Sequence, residues 1–300
     1  MPETQVRPHE GREQAEIRTA RSSQRNAAAY VTVIGPSVRW PRLDVGELWR
    51  FRELLGIFVW RDLKVRYKQT IIGAAWAIFQ PLFTALVYTL IFGKFAKFPS
   101  GNLPYPIFAF SGVLAWQYFS ASLNTASASV VSNVPLVTKV YFPRLLLPLA
   151  GVLVPLVDLG LASIVLVGMM VWFHTWPSAV GVLAPLFILL ALVTALGGAL
   201  TLSALNTRYR DVPYAIPVFM QVLPFLSGVP YSLDGAPEKW QWILSLNPVT
   251  GVVAGWRWTV LQGPQPVPGQ LAVSVAVALL LFASGLLYFR RSEPRFADTI

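Results

Sequence analysis

Residues 61–77 read RDLKVRYKQTIIGAAWA, and this stretch decides the fold. Five of the eight residues Arg61–Lys68 are charged, namely Arg61, Asp62, Lys64, Arg66 and Lys68. From Ile71 to Phe92 no ionisable side chain follows except Tyr88. About 20 apolar residues cross a hydrocarbon core, and Lys and Arg collect on its cytoplasmic flank. The chain therefore enters a membrane here, from the inside.

Composition carries the same reading to the whole chain. Of its 300 residues 55% are hydrophobic and only 13% charged, far too apolar for an ordinary soluble protein. Residues 1–43 are polar and Arg-rich with no apolar run near Met1, so they read as a disordered cytoplasmic tail without a cleavable signal. The net charge of +10 sits where topology needs it, which argues for a membrane and against nucleic acid. The chain has no cysteine, and its two histidines, His9 and His174, lie far apart, so no thiolate or histidine metal centre is expected.

The fold class expected is all-α: a polytopic membrane protein with six transmembrane helices, an N-terminal amphipathic interface helix and short external re-entrant helices. The interface helix covers 44–70, with Leu48, Phe51, Leu55 and Phe58 spaced by three and four on one face. Asp44 and Glu47 fit a capping box at its start. A basic helix next to a span lies in the headgroup plane. The membrane domain 71–290 holds spans at 71–92, 105–128, 145–173, 179–205, 213–230 and 271–289, and 291–300 is a cytoplasmic C-terminal tail. Pro81, Pro155, Pro185, Pro217 and Pro224 fall inside spans, where neighbouring helices satisfy the freed carbonyls.

Charge fixes the orientation. Twenty Lys and Arg fall in 1–70, 129–144, 206–212 and the residues after the last span, against Lys94, Lys97, Lys239 and Arg257 on the other side. Both termini are thus expected in the cytoplasm. The outer segment 231–270 carries Trp240, Trp242, Trp256 and Trp258, and its apolar stretches 240–246 and 249–261 are too short to span. They read as helices dipping into the outer leaflet, where indoles are half buried.

Chemistry is sparse. Asp158 is the one acidic residue inside a span, expected to bond a neighbouring helix; a role in ion-coupled transport is the alternative. No GxxxxGK[ST] loop and no Ser-His-Asp set or paired carboxylates stand out. An energy source must then come from another chain. Two inward segments look built for a partner: NVPLVTKVYFPRLLLP at 133–148 and NTRYRDVPY at 206–214. Positive charge that merely holds loops inside accounts for either equally well.

The order of RDLKVRYKQTIIGAAWAIFQP, NVPLVTKVYFPRLLLP, TRYRDVPYAIP and LNPVTGVVAGWRW resembles the permease subunit of bacterial ATP-binding-cassette exporters of O-antigen, capsule or teichoic-acid type, over about 45–290. The resemblance implies a homodimer in the cytoplasmic (inner) membrane, bound to two copies of a nucleotide-binding subunit that holds the ATP and Mg. This chain itself carries no cofactor and no catalytic residue. Leu136, Lys139, Tyr141, Phe142 and Arg144 would couple to the ATPase, and Arg61, Asp62, Lys64, Arg66 and Tyr67 would form the interface helix's contact. The substrate would be a lipid-linked glycan. Sugars offer C–H faces and hydroxyl edges, which Trp76, Phe79, Tyr88, Trp116 and Tyr118, with Gln117, Ser120 and Asn124, could line. A drug or lipid exporter of the same fold, an ion-coupled carrier using Asp158 and a membrane enzyme acting on lipid-linked sugars remain as alternatives.

Overall fold

The computed structural model describes residues 45–68, 73, 75–177 and 179–299. The expected tail 1–43, the Asp44 cap and residues 71, 72 and 74 of the first span lie outside them. All described elements are helical: α1 (Val45–Arg50), α2 (Arg52–Lys68), α3 (Ala75–Tyr88, continued as a π-helix Thr89–Phe95), α4 (Tyr105–Ala128), α5 (Val134–Lys139), α6 (Leu146–Trp172), α7 (Ala184–Asn206), α8 (Val212–Leu226), α9 (Glu238–Ser245), α10 (Pro248–Leu261), α11 (Pro268–Ser292) and α12 (Phe296–Thr299).

Among the described residues four helical stretches are long and apolar enough to cross a membrane: Ala75–Phe95, Leu146–Trp172, Ala179–Asn206 and Pro268–Arg295. The other two expected spans differ in kind. Helix α4 has 24 residues, but Ser111, Gln117, Ser120, Ser122, Asn124, Thr125 and Ser127 dilute its apolar character. It can carry them because it is the central helix, packed against α3, α6, α7 and α10 and buried over most of its length. Helix α8 has only 15 residues, with Pro217 and Pro224 inside it. Pro185 lies within the span Ala179–Asn206 as expected, in the first turn of α7, where its missing N–H costs nothing.

Small residues let the long helices approach. A Cβ on Gly197 would lie 2.6 Å from the Phe282 backbone nitrogen, and one on Gly151 2.7 Å from the Ala126 Cα. These crossings of α7 with α11 and of α6 with α4 are therefore closed to larger side chains, a packing mode that serves helices in lipid. The lipid-type surface lies opposite: Leu186, Leu189, Ile164, Val167, Leu279 and Leu280 are exposed.

The N-terminal helices follow the expected pattern on one side. Phe58 is buried, and Leu48, Phe51 and Leu55 pack against the core. Trp49, Ile57, Trp60 and Val65 are nevertheless exposed, so the opposite face is mixed, with Lys64 lying over the Trp60 ring at 5.3 Å.

The two short helices expected to be re-entrant are α9 and α10. Asn247 caps α10 by accepting from the Val249 N–H at 3.1 Å, Pro248 opens it, and Gln262 closes it in the left-handed region at φ 55°. Trp240 and Trp242 are exposed, but Trp256 is buried. Arg257 overturns its assignment as an outward-facing charge. It is 5% exposed, lies 3.6 Å over the Phe108 ring, and donates to the carbonyls of Gly228, Val229 and Phe108. The reason is local: the chain leaving α8 exposes carbonyls with no helical donor, and one planar guanidinium reaches several at once.

Candidate functional site

A cavity of about 770 Å³ opens between α2, α3, α4, α6 and α8. Its wall is aromatic and neutral polar. Of the five ring residues expected on a path, Trp76, Tyr88, Trp116 and Tyr118 line it, with Gln117, Ser120 and Asn124. Phe79 does not; its ring stacks on Phe83 at 6.1 Å, and half of it is exposed on the outer face of α3. Sequence reasoning missed Gln80, Thr84 and Gln221, which add amide and hydroxyl groups from α3 and α8. The helical repeat could have found the first two, since Trp76, Gln80, Thr84 and Tyr88 recur every four residues along one face.

The charged lining residues are Arg66 and Asp158, and they pair. The Arg66 guanidinium meets the Asp158 carboxylate at 2.8 Å, and the Tyr67 hydroxyl donates to the other carboxylate oxygen. Partial burial and the bond to Asp158 push the Tyr67 phenol up from its ordinary value, so it stays protonated and donating. Asp158 therefore does bond a neighbouring helix, and that helix is α2. The neutralised carboxylate is held in place in the cavity wall.

The second cluster surrounds α5. A 3-10 turn at Val131–Asn133 precedes this short helix, and the chain leaves it extended at Val140, with φ −124° and ψ 135°. Among the expected coupling residues, Leu136 packs on the core while Lys139 and Tyr141 are exposed. The Tyr141 hydroxyl reaches the Glu47 carboxylate at 3.4 Å, and that negative charge is the main influence raising the phenol's pKa. Phe142 is buried, its ring edge-on to Phe58 at 5.6 Å. Arg144 turns the other way, to the end of α11, where its side chain and its backbone N–H both engage Glu293. Of the five α2 residues singled out, Arg66 and Tyr67 go to Asp158. Arg61 pairs with its neighbour Asp62 at 2.8 Å and lies over the Phe58 ring at 5.3 Å, and Lys64 is exposed. The segment Arg208–Asp211 is an exposed turn between α7 and α8.

A bundle of apolar helices around a wide polar-aromatic cavity, with a short helix tied to both ends of the chain, defines a membrane transport subunit. The chain belongs to the ABC-2 type transporter family, which matches residues 53–261. It is similar to an O-antigen export system permease protein, RfbA, of Myxococcus xanthus, 30% identical over 261 residues that cover 85% of this chain and 98% of that protein. A Klebsiella pneumoniae protein of the same name is 26% identical over 83% of this chain and 95% of its own length. The polysialic acid transport protein KpsM of Escherichia coli is 21% identical over 78% and 91%.

Proposed function

We propose that this chain is the channel-forming permease subunit of an ATP-driven exporter that carries a lipid-linked polysaccharide, of O-antigen, capsular or teichoic-acid-like kind, across the bacterial cytoplasmic membrane. The observation that carries the reading is the cavity of about 770 Å³, wide enough for a sugar chain and walled by Trp76, Tyr88, Trp116 and Tyr118 among neutral amides and hydroxyls. Rings meet the apolar faces of pyranoses and the amides meet their hydroxyl edges, and the two charges in the lining, Arg66 and Asp158, are paired with each other. The names of the relatives agree with it.

In this reading α4 and α8 complete six spans, both termini lie in the cytoplasm, and two copies of the chain face each other. Two copies of a separate ATPase bind ATP and Mg and press on α5. Phe142 passes that motion to Phe58 on α2. Arg66 and Tyr67, eight and nine residues further on and about 12 Å along the axis, bring it to Asp158 in the cavity wall. Drug or lipid export through the same fold would call for a more apolar cavity than this one.

Deleting the gene tests the reading. Surface polysaccharide, seen on gels of whole-cell extracts, is expected to disappear while its lipid-linked form accumulates inside, and plasmid-borne permease is expected to restore it. Undiminished surface polymer in the deletion strain would refute the assignment.

A further inference from the structure

The last residues of the chain, expected as a simple tail, are fastened to the segment that follows α5. Glu293 lies in the 3-10 turn Glu293–Arg295 directly after α11. Its carboxylate accepts from the Arg144 backbone N–H at 3.2 Å and from the Arg290 guanidinium at 3.2 Å. In return the Arg144 guanidinium donates to the Glu293 carbonyl, and its other nitrogen lies 3.5 Å from the Val137 carbonyl on α5. Beyond it Phe296, 1% exposed, sets its ring against Phe289 at 5.2 Å. The Glu293 carbonyl accepts from the Phe296 N–H inside the turn, and Arg144 adds a second, cationic donor at this end of α11, where a helix favours positive charge.

We propose that Glu293–Thr299 is a positioning strut, in which Glu293 and Phe296 hold residues 140–144 rigid so that displacement of α5 is delivered to α11 as well as to α2. The proposal rests on the reading of α5 as the ATPase contact. Its physical basis is the extended backbone at Val140. An extended linker absorbs motion by small rotations of its own, and a short helix hung on one would move without moving the spans. Three fastenings prevent this: Phe142 against Phe58, Pro143 with its fixed φ, and Arg144 locked to Glu293. The first leads to the N-terminal helix and the third to the last span. Load on α5 is thus shared between α2 and α11.

The test uses the full permease with its ATPase, purified together and also expressed in cells. Recovery of the ATPase on tagged permease, ATP hydrolysis per complex and surface polymer are measured for Glu293→Ala and Phe296→Ala. The expected result is normal ATPase recovery with export per ATP hydrolysed reduced about tenfold. A purely structural tail would lower the amount of permease but leave that ratio unchanged, and an unchanged ratio overturns the proposal. If Glu293→Ala does not accumulate, the ratio is read from Phe296→Ala, which removes the ring set against Phe289. Failure of both to accumulate overturns the proposal in favour of a folding role. Lys139→Glu, a charge reversal at an exposed position of α5, is run beside them. Normal recovery and export there would refute α5 as the ATPase contact and sink both readings, whereas an impaired Lys139→Glu with an unchanged ratio in Glu293→Ala removes the strut alone.

Discussion

Phe142 meets Phe58 edge-on, with ring centroids 5.6 Å apart and planes at 67°, across 84 positions of sequence. The two rings are the point at which the chain after α5 is seated on α2. Replacing Phe142 by Ala is expected to cost about 3 kcal/mol, the scale of a buried ring lost without collapse. Thermal melts of the purified permease in detergent measure this. A double-mutant cycle of Phe58→Leu and Phe142→Leu should return a coupling of about 1 kcal/mol for the ring pair itself.

Asp158→Asn is expected to accumulate normally and to export near the wild-type level, because asparagine keeps the side chain's shape and one of the two acceptor oxygens that Tyr67 and Arg66 use. Asp158→Ala removes both acceptors and should lower the melting temperature, at a cost of roughly 1–3 kcal/mol. Export should continue when the proton gradient is dissipated and ATP is kept. Complete loss of export in a well-inserted Asp158→Asn would revive the ion-coupled carrier.

The native chain lacks cysteine, so single-cysteine labelling reports cleanly on sidedness. A membrane-impermeant thiol reagent added to intact cells is expected to label Lys239→Cys and to leave Lys139→Cys untouched. The opposite pattern would invert the topology.

Arg257 should be intolerant of change. Methionine there leaves the carbonyls of Gly228, Val229 and Phe108 without their donor, at a cost on the order of 2–3 kcal/mol. Lysine is a point charge that cannot reach all three at once, so Arg257→Lys should rescue only part of the stability. Gly112→Ala should resemble it, since a Cβ there strikes the guanidinium. Wild-type melting in Gly112→Ala would show that the guanidinium is free to shift.

The elements that composition and spacing located are those whose physics is local. A bilayer reads apolar length and flanking charge directly, so Leu146–Trp172 lies within one residue of its expected bounds at each end. Trp76 and Tyr88 likewise line the cavity as expected, while Gln80 and Thr84 on the same face lie outside the expected set. What stayed hidden depends on contacts between distant residues. Arg66 with Asp158, and Arg144 with Glu293 across 149 positions, leave no local mark, since each looks like an ordinary flanking charge. Arg257 misled for the same reason. Counting charges by side assumes that each faces water, and this one is spent on backbone carbonyls. Helix α4 shows the reverse: its hydroxyls and amides look costly for a span until the surrounding helices and the cavity account for them.

Helix α8 has one more consequence. Its 15 residues rise about 22 Å, against a hydrocarbon layer of about 30 Å. Long helices elsewhere in the chain can tilt to fit, but a short one can only draw the lipid inward or borrow depth from its neighbours. In the six-span reading proposed above, the wall beside Met220, Gln221, Pro224 and Phe225, which line the cavity, is the place where acyl-chain length would act on the protein. Bilayer thickness would then be a setting of the transporter, tuned by the lipids a cell makes.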